Sequence, residues 1–186
     1  MQEKETSFGL VRLRLPVRED VQKLLGLKDG DSTINFSFFE KEKISWDDEA
    51  LYLFEKGMSE TDCLWIVTEA ASGEIIGTCG LHEIDFVMRS ARIGVLLLNA
   101  HFHGRGFGSD TIKALLKYAF CELMLDKVYL NVLVTNIRAQ ALYRRLGFNS
   151  EGLLRGEYLL RGQRLDMYRM SWLKSDWEEL EAQKGR

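Results

Sequence analysis

Apolar and polar residues alternate from Phe8 to Leu15, with Arg12 and Arg14 between the apolar members, and the spacing predicts a first strand. Pro16 follows, and it suits a helix start because its φ is preset and a first-turn N–H has no intrahelical partner. Val17, Val21, Leu24 and Leu25 then recur at helical spacing. Residues 28–44 are polar with interspersed Phe36, Phe38 and Phe39, and they read as an irregular or mobile segment. Ser45 ahead of Asp47, Asp48 and Glu49 is a helix-start signal, since acids complement the partial positive charge of a first turn. Leu51, Phe54 and Met58 continue that helix.

From Cys63 the period changes to that of strands. Leu64 to Thr68 is one strand, Ser72-Gly73 a turn, and Ile75 to Ile84 the returning arm of a hairpin. Ala91 to Leu98 is apolar on both faces, which predicts a central strand. Gly106 to Leu125 is the clearest helix, with Ile112, Leu115, Leu116, Ala119, Phe120 and Leu123 on one face. Lys127 to Val134 is a further buried strand, and Ile137 to Leu146 a helix stopped by Gly147. Gly152–Leu160 and Leu165–Leu173 read as two strands joined by Arg161-Gly162-Gln163. The main domain is expected over 1–174, with a polar tail over 175–186 that reads as a short, frayed helix. The order is a mixed α/β arrangement, a sheet flanked by helices, and no strict Rossmann alternation.

Composition narrows the class. Hydrophobic residues make up 46% and charged residues 28% of 186 residues, which excludes a disordered or fibrous chain. A net charge of -3 supplies no global field for gathering nucleic acid or an anionic membrane, so neither is expected as a partner. Cys63, Cys79 and Cys121 form no C-x-x-C pair and no disulfide framework, and the N-terminus has no signal-peptide pattern; both point to a cytoplasmic location. His101 and His103 make an H-x-H pair without accompanying ligands, so no metal site is expected.

Candidate chemistry begins at His103-Gly104-Arg105-Gly106-Phe107-Gly108-Ser109, which joins the apolar strand to the long helix. Glycines let backbone N–H groups approach a ligand, and a helix start adds positive character, so a phosphate or pyrophosphate suits this turn. By itself the turn could also serve only to change direction. The P-loop pattern is absent, because no Lys-Ser/Thr pair follows the glycines. A dinucleotide fold would place the glycines after a first strand, with an acid at the tip of the next; here that strand ends in Thr135-Asn136. Asn136 and Tyr143 lie seven residues apart on a helix, within about 20° of one face and about 10 Å apart along it. An extended ligand could meet both, or Asn136 could be only an N-cap and Tyr143 only a core aromatic.

Together, Gly106-x-Gly108 and Asn136-Ile-Arg-Ala-Gln-Ala-Leu-Tyr143-Arg-Arg-Leu-Gly147-Phe148 resemble the GCN5-related N-acetyltransferase (GNAT) superfamily. Ile76-Gly77, Ile93-Gly94-Val95 and the run from Gly162 to Tyr168 add to the resemblance, which extends from about Phe8 to Leu173. It is nearest to the branch holding ribosomal-protein N-terminal and spermidine acetyltransferases. The family pattern has Gln or Arg where His103 stands, so the role of that residue is open.

The resemblance implies a mixed, mostly antiparallel, splayed sheet of about seven strands with about four helices, acetyl-CoA as co-substrate and a primary amine as acceptor. It places the pyrophosphate on the amides of Arg105 to Ser109, adds His103, Gly104 and Asn136 to the cofactor-binding residues, and lays the pantetheine arm along Val95, Leu96 and Leu97, where an N–H could also stabilise the oxyanion. It makes Tyr143 the proton donor to the leaving sulfur. An alkylamine with a pKa near ~10.4 must lose a proton before attack. Glu83 is the candidate base, at the end of the apolar row of Cys79 and Leu81, where desolvation would raise its pKa; His82, facing the other way, is the weaker candidate. Acceptor-site candidates are Phe38, Trp46, Glu83, Asp85, Glu157 and Tyr158, suited to a cationic small molecule or a peptide amine. The hairpin near Arg161 could serve as the edge of a homodimer. The alternative from another class is a non-catalytic acyl-CoA-binding sensor or scaffold, which would have no use for a proton donor at Tyr143.

Overall fold

The computed structural model describes residues 5–28, 59–97, 100–160 and 162–184. The helix expected from Ser45, and the irregular segment beyond Lys28, lie outside them. In chain order the described elements are β1 (Glu5–Phe8), β2 (Val11–Arg14), α1 (Arg18–Lys28), β3 (Cys63–Glu69), β4 (Ile75–Asp85) and β5 (Ser90–Leu97). They continue with α2 (Phe107–Lys117), β6 (Lys127–Leu133), α3 (Ile137–Leu146), β7 (Asn149–Leu160), β8 (Gln163–Leu173) and α4 (Lys174–Lys184). The chain forms two compact units, Met1–His82 with Gly94–Lys117, and Glu83–Ile93 with Tyr118–Arg186.

In the first unit β1, β2, β3 and β4 pair antiparallel in that order. The single strand expected over Phe8–Leu15 is instead a hairpin. Gly9 turns the chain at φ 53°, and the Leu10 N–H donates to Asp110 Oδ2 of α2 at 3.1 Å. A Cβ on Gly9 would lie 2.3 Å from that oxygen, so a larger residue would displace the Asp110 carboxylate. Beyond the turn the expected alternation holds, with Val11 and Leu13 fully buried and Arg12 exposed. Ile66, Ile76, Leu81, Ile112, Leu115 and Leu116 are buried with them, each contributing about 1.5–3 kcal/mol of transfer free energy.

The helix expected over Gly106–Leu125 is α-helical only to Lys117 and continues as a π-helical turn, Tyr118–Glu122, in which the Leu123 N–H donates to the Tyr118 carbonyl. Met124, at φ 54°, ends it.

In the second unit the order is β5, β6, β8, β7. β5 runs parallel to β6 through Ser90–Arg92 opposite Lys127–Tyr129, while β6–β8 and β7–β8 are antiparallel. Among the described residues eight strands, one more than expected because the first divides, thus make a mixed and mostly antiparallel architecture. Gly147 ends α3 at φ 107°, as the sequence predicts, with the Trp172 ring where a Cβ would stand. The tail expected to fray is the helix α4, and its Trp177 ring packs 5.7 Å from that of Phe120.

The start of α1 is fixed by one buried carboxylate. Asp20 accepts both ends of the Arg14 guanidinium at 2.6 Å and the Val17 N–H at 2.8 Å. Burial alone would raise its pKa, but these donors outweigh burial and hold the carboxyl below its usual value. A lowered folded-state pKa adds stability above the unfolded pKa, and that stability is lost as pH falls through the folded value. Asp20→Asn is expected to cost about 3 kcal/mol at neutral pH. In urea unfolding at a series of pH values, its deficit relative to wild type should shrink on acidification; a deficit that stays constant would contradict the pairing.

Candidate active site

The glycine turn lies in the first unit. β5 ends at Leu97, a 3-10 turn covers Ala100–Phe102, and the chain enters α2 through His103, Gly104, Arg105 and Gly106. Gly104 and Gly106 have φ of 76° and 98°, a region that residues with a Cβ rarely adopt. The first helical bond runs from the Asp110 N–H to the Gly106 carbonyl. The N–H groups of Phe107, Gly108 and Ser109 therefore precede the intrahelical ladder. Such a row of donors at the positive end of a helix fits an anionic group of the kind a pyrophosphate carries. Arg105 is exposed, with its guanidinium 5.9 Å from the Phe102 ring and 5.8 Å from the Phe107 ring. His103 and Val95 are half-buried, and Leu96 and Leu97 continue β5 as strand.

The second motif lies in the other unit. Asn136 caps α3, its Oδ1 accepting the Ala139 N–H at 3.1 Å. The Tyr143 ring stacks at a tilt 5.7 Å from Phe148. Both local roles weighed from the sequence are therefore present. Tyr143 keeps part of its surface accessible, yet desolvation pushes its phenol up to about 12, so the hydroxyl retains its proton near neutral pH. Gln140, which the sequence reading passed over, is buried and donates to the Leu133 and Val134 carbonyls at 3.0 and 2.8 Å. It ties α3 to the end of β6.

The premise for Glu83 as base is not met. Its side chain is 60% exposed, receives the Arg92 Nε–H at 2.9 Å and accepts the Tyr129 hydroxyl at 2.8 Å. Its backbone takes φ 54°, so the strand is irregular where the apolar row ends. Asp85 is exposed and accepts the Val87 and Met88 N–H groups through one oxygen, which closes the turn between β4 and β5. Glu157 is exposed and Tyr158 half-buried on β7, where the register with β8 shifts between Leu154 and Tyr158. Phe38 and Trp46 lie outside the described residues.

His82 is better formed for chemistry than the sequence suggested. Its Nδ1 lies 3.0 Å from Asp62 Oδ1, and the two side chains are 14% and 8% exposed. A Cβ on Gly80 would stand 2.8 Å from the His82 Nε2, and one on Gly94 3.1 Å from it. The two glycines were the available signal, although they point to the ring only once β4 and β5 are in place.

A family model described as an acetyltransferase (GNAT) domain matches residues 11–149, so the chain belongs to the GNAT acetyltransferase family. It is an acetyl-CoA-dependent N-acetyltransferase, as the paired motifs imply. A spermidine N(1)-acetyltransferase of Vibrio cholerae is 33% identical over 165 residues, covering 89% of this chain and 94% of that protein. A putative ribosomal N-acetyltransferase of Bacillus subtilis is 35% identical over 106 residues, 57% of each. The crystal structure of spermidine N-acetyltransferase from Vibrio cholerae in complex with CoA and spermine aligns with a TM-score of 0.80 and 29% identity, over 91% of this chain and 98% of that one.

Replacing Gln140 by Met leaves two carbonyls without their donor, and the expected cost is about 1–3 kcal/mol in chemical unfolding. An unchanged midpoint would show that Gln140 does not tether α3.

Proposed function

We propose that the acceptor is the primary amine of a polyamine, acetylated by direct attack. The likeness to the spermidine N-acetyltransferase complexed with CoA and spermine, over nearly the full length of both chains, is the observation that carries this reading. Exposed Glu157 is a site for a cationic chain on β7. A second reading, a protein N-terminal amine, draws on the putative ribosomal N-acetyltransferase, whose similarity covers 57% of this chain.

Acetyl-CoA, when bound, supplies a thioester acetyl group open to attack by an amine. The N–H groups of Phe107 to Ser109 hold its negative charge at the start of α2, with Gly104 and Gly106 allowing close approach. The backbone of Val95 to Leu97 pairs with its amide-bearing arm. Tyr143, protonated at neutral pH, gives its hydroxyl proton to the departing sulfur, a role that typically contributes ~10²–10⁴-fold. A scaffold that only binds acyl-CoA gains nothing from such a donor, which favours the enzyme.

Thiol release from acetyl-CoA in the presence of an amine panel separates these readings. Spermidine or spermine is expected to accelerate release above the blank. Acceleration by N-terminal peptides alone would transfer the proposal to the second reading, and no acceleration by any amine would favour a binder. Tyr143→Phe should lower kcat by about 10²-fold or more with acetyl-CoA affinity within about twofold. Gly106→Val, which forces a Cβ toward the Leu10 side chain at a left-handed φ, should weaken acetyl-CoA binding at least about tenfold in calorimetry. Unchanged kcat in the first variant, or unchanged affinity in the second, would remove that residue from its role.

A further inference from the structure

We infer that His82, oriented by Asp62, accepts the proton that the acceptor amine must lose, an assignment that rests on the acetyl-transfer reading. With a carboxylate on Nδ1, the neutral imidazole carries its proton there and its lone pair on Nε2. The carboxylate is itself held. Asp62 is buried, and its second oxygen accepts the Thr61 hydroxyl at 3.1 Å. Nε2 is directed over the backbone at Gly80 and Gly94, close enough that a side chain at either position would displace the ring. Gly94 directly precedes Val95, the start of the stretch proposed to hold the acyl arm. The pair, the two glycines and that stretch belong to one compact unit.

Chemistry favours the imidazole over the neighbouring carboxylate. An ordinary imidazole has a pKa of about 6.5, which suits proton acceptance near neutral pH. Glu83, exposed and engaged by Arg92 and Tyr129, has two donors satisfying the charge a base would use. Among the described residues, Asp62, on the approach to β3, is a charged group that faces the imidazole. Of the other charged residues on β4 and β5, Glu83 and Arg92 face each other, and Asp85 faces the turn amides.

The balance is R–NH3+ plus acetyl-S-CoA giving R–NH–CO–CH3, HS-CoA and one proton. His82 takes the proton that leaves the ammonium and later passes it to solvent. The N–C bond then forms and the C–S bond breaks. The departing sulfur gains one proton, and the acylated nitrogen sheds one, which closes the balance.

The test is the pH profile of kcat/KM for the amine that wild type acetylates fastest, for wild type, His82→Gln, His82→Gly, Asp62→Asn and Glu83→Gln. His82→Gln is expected to lose about 10²-fold or more at neutral pH and to recover toward alkaline pH, where free amine becomes abundant, with acetyl-CoA affinity unchanged. Added imidazole should restore rate to His82→Gly. Asp62→Asn should lower the rate and move the acid limb, and it decides the matter if the His82 variants do not fold. Glu83→Gln should keep the acid limb. An acid limb unchanged in His82→Gln or Asp62→Asn, or lost in Glu83→Gln instead, would overturn the assignment. A wild type inactive with every amine would overturn the transferase reading as well.

Discussion

The constraint on which the first unit depends is the way α2 begins. The chain must leave β5, reverse, and start a helix whose first N–H groups point outward. Gly104 and Gly106 adopt left-handed φ values to make that possible. Asp110, in the first turn of the helix, uses its carboxylate on the Leu10 N–H of the β1–β2 turn, so the helix start is clamped to the first hairpin. Its negative charge is thereby committed to a protein donor and complements the helix dipole. Burial of Ile112, Leu115 and Leu116 on the same helix supplies the apolar free energy that keeps the clamp closed.

Much of this was legible along the chain because it is local. β3, β4 and β5 follow from short, apolar-rich runs, the first two separated by the Ser72-Gly73 turn, and α3 follows from its spacing and from Gly147. The glycine turn and the Asn136–Tyr143 pair carry their own chemistry in their residue types and spacing. What was not legible depends on partners remote in sequence. The break of the first strand at Gly9 is set by Asp110, a hundred positions away. The partners of Glu83, namely Arg92 and Tyr129, become visible only when β5 and β6 are in register, and its side chain stays exposed there, so the expected desolvation is absent. The docking of α4 rests on Trp177 meeting Phe120, which a polar composition conceals.

Asp62 and His82 illustrate the same limit from the opposite side. Twenty residues separate them, and neither belongs to a motif, yet the antiparallel register that places Cys63 opposite Leu81 brings them together. Gly80 and Gly94 make the imidazole fit. The family resemblance implies which residues hold and cleave a thioester, and the packing around His82 is what supports proposing it as the proton acceptor.

The account stands on anion capture at the start of α2. Titrating coenzyme A into isotope-labelled protein and following backbone amides in nitrogen–proton correlation spectra reads that capture directly. The Phe107, Gly108 and Ser109 amides should show the largest shifts, saturating with the binding isotherm measured in parallel. If coenzyme A bound while those three amides stayed in place, the central claim would be wrong.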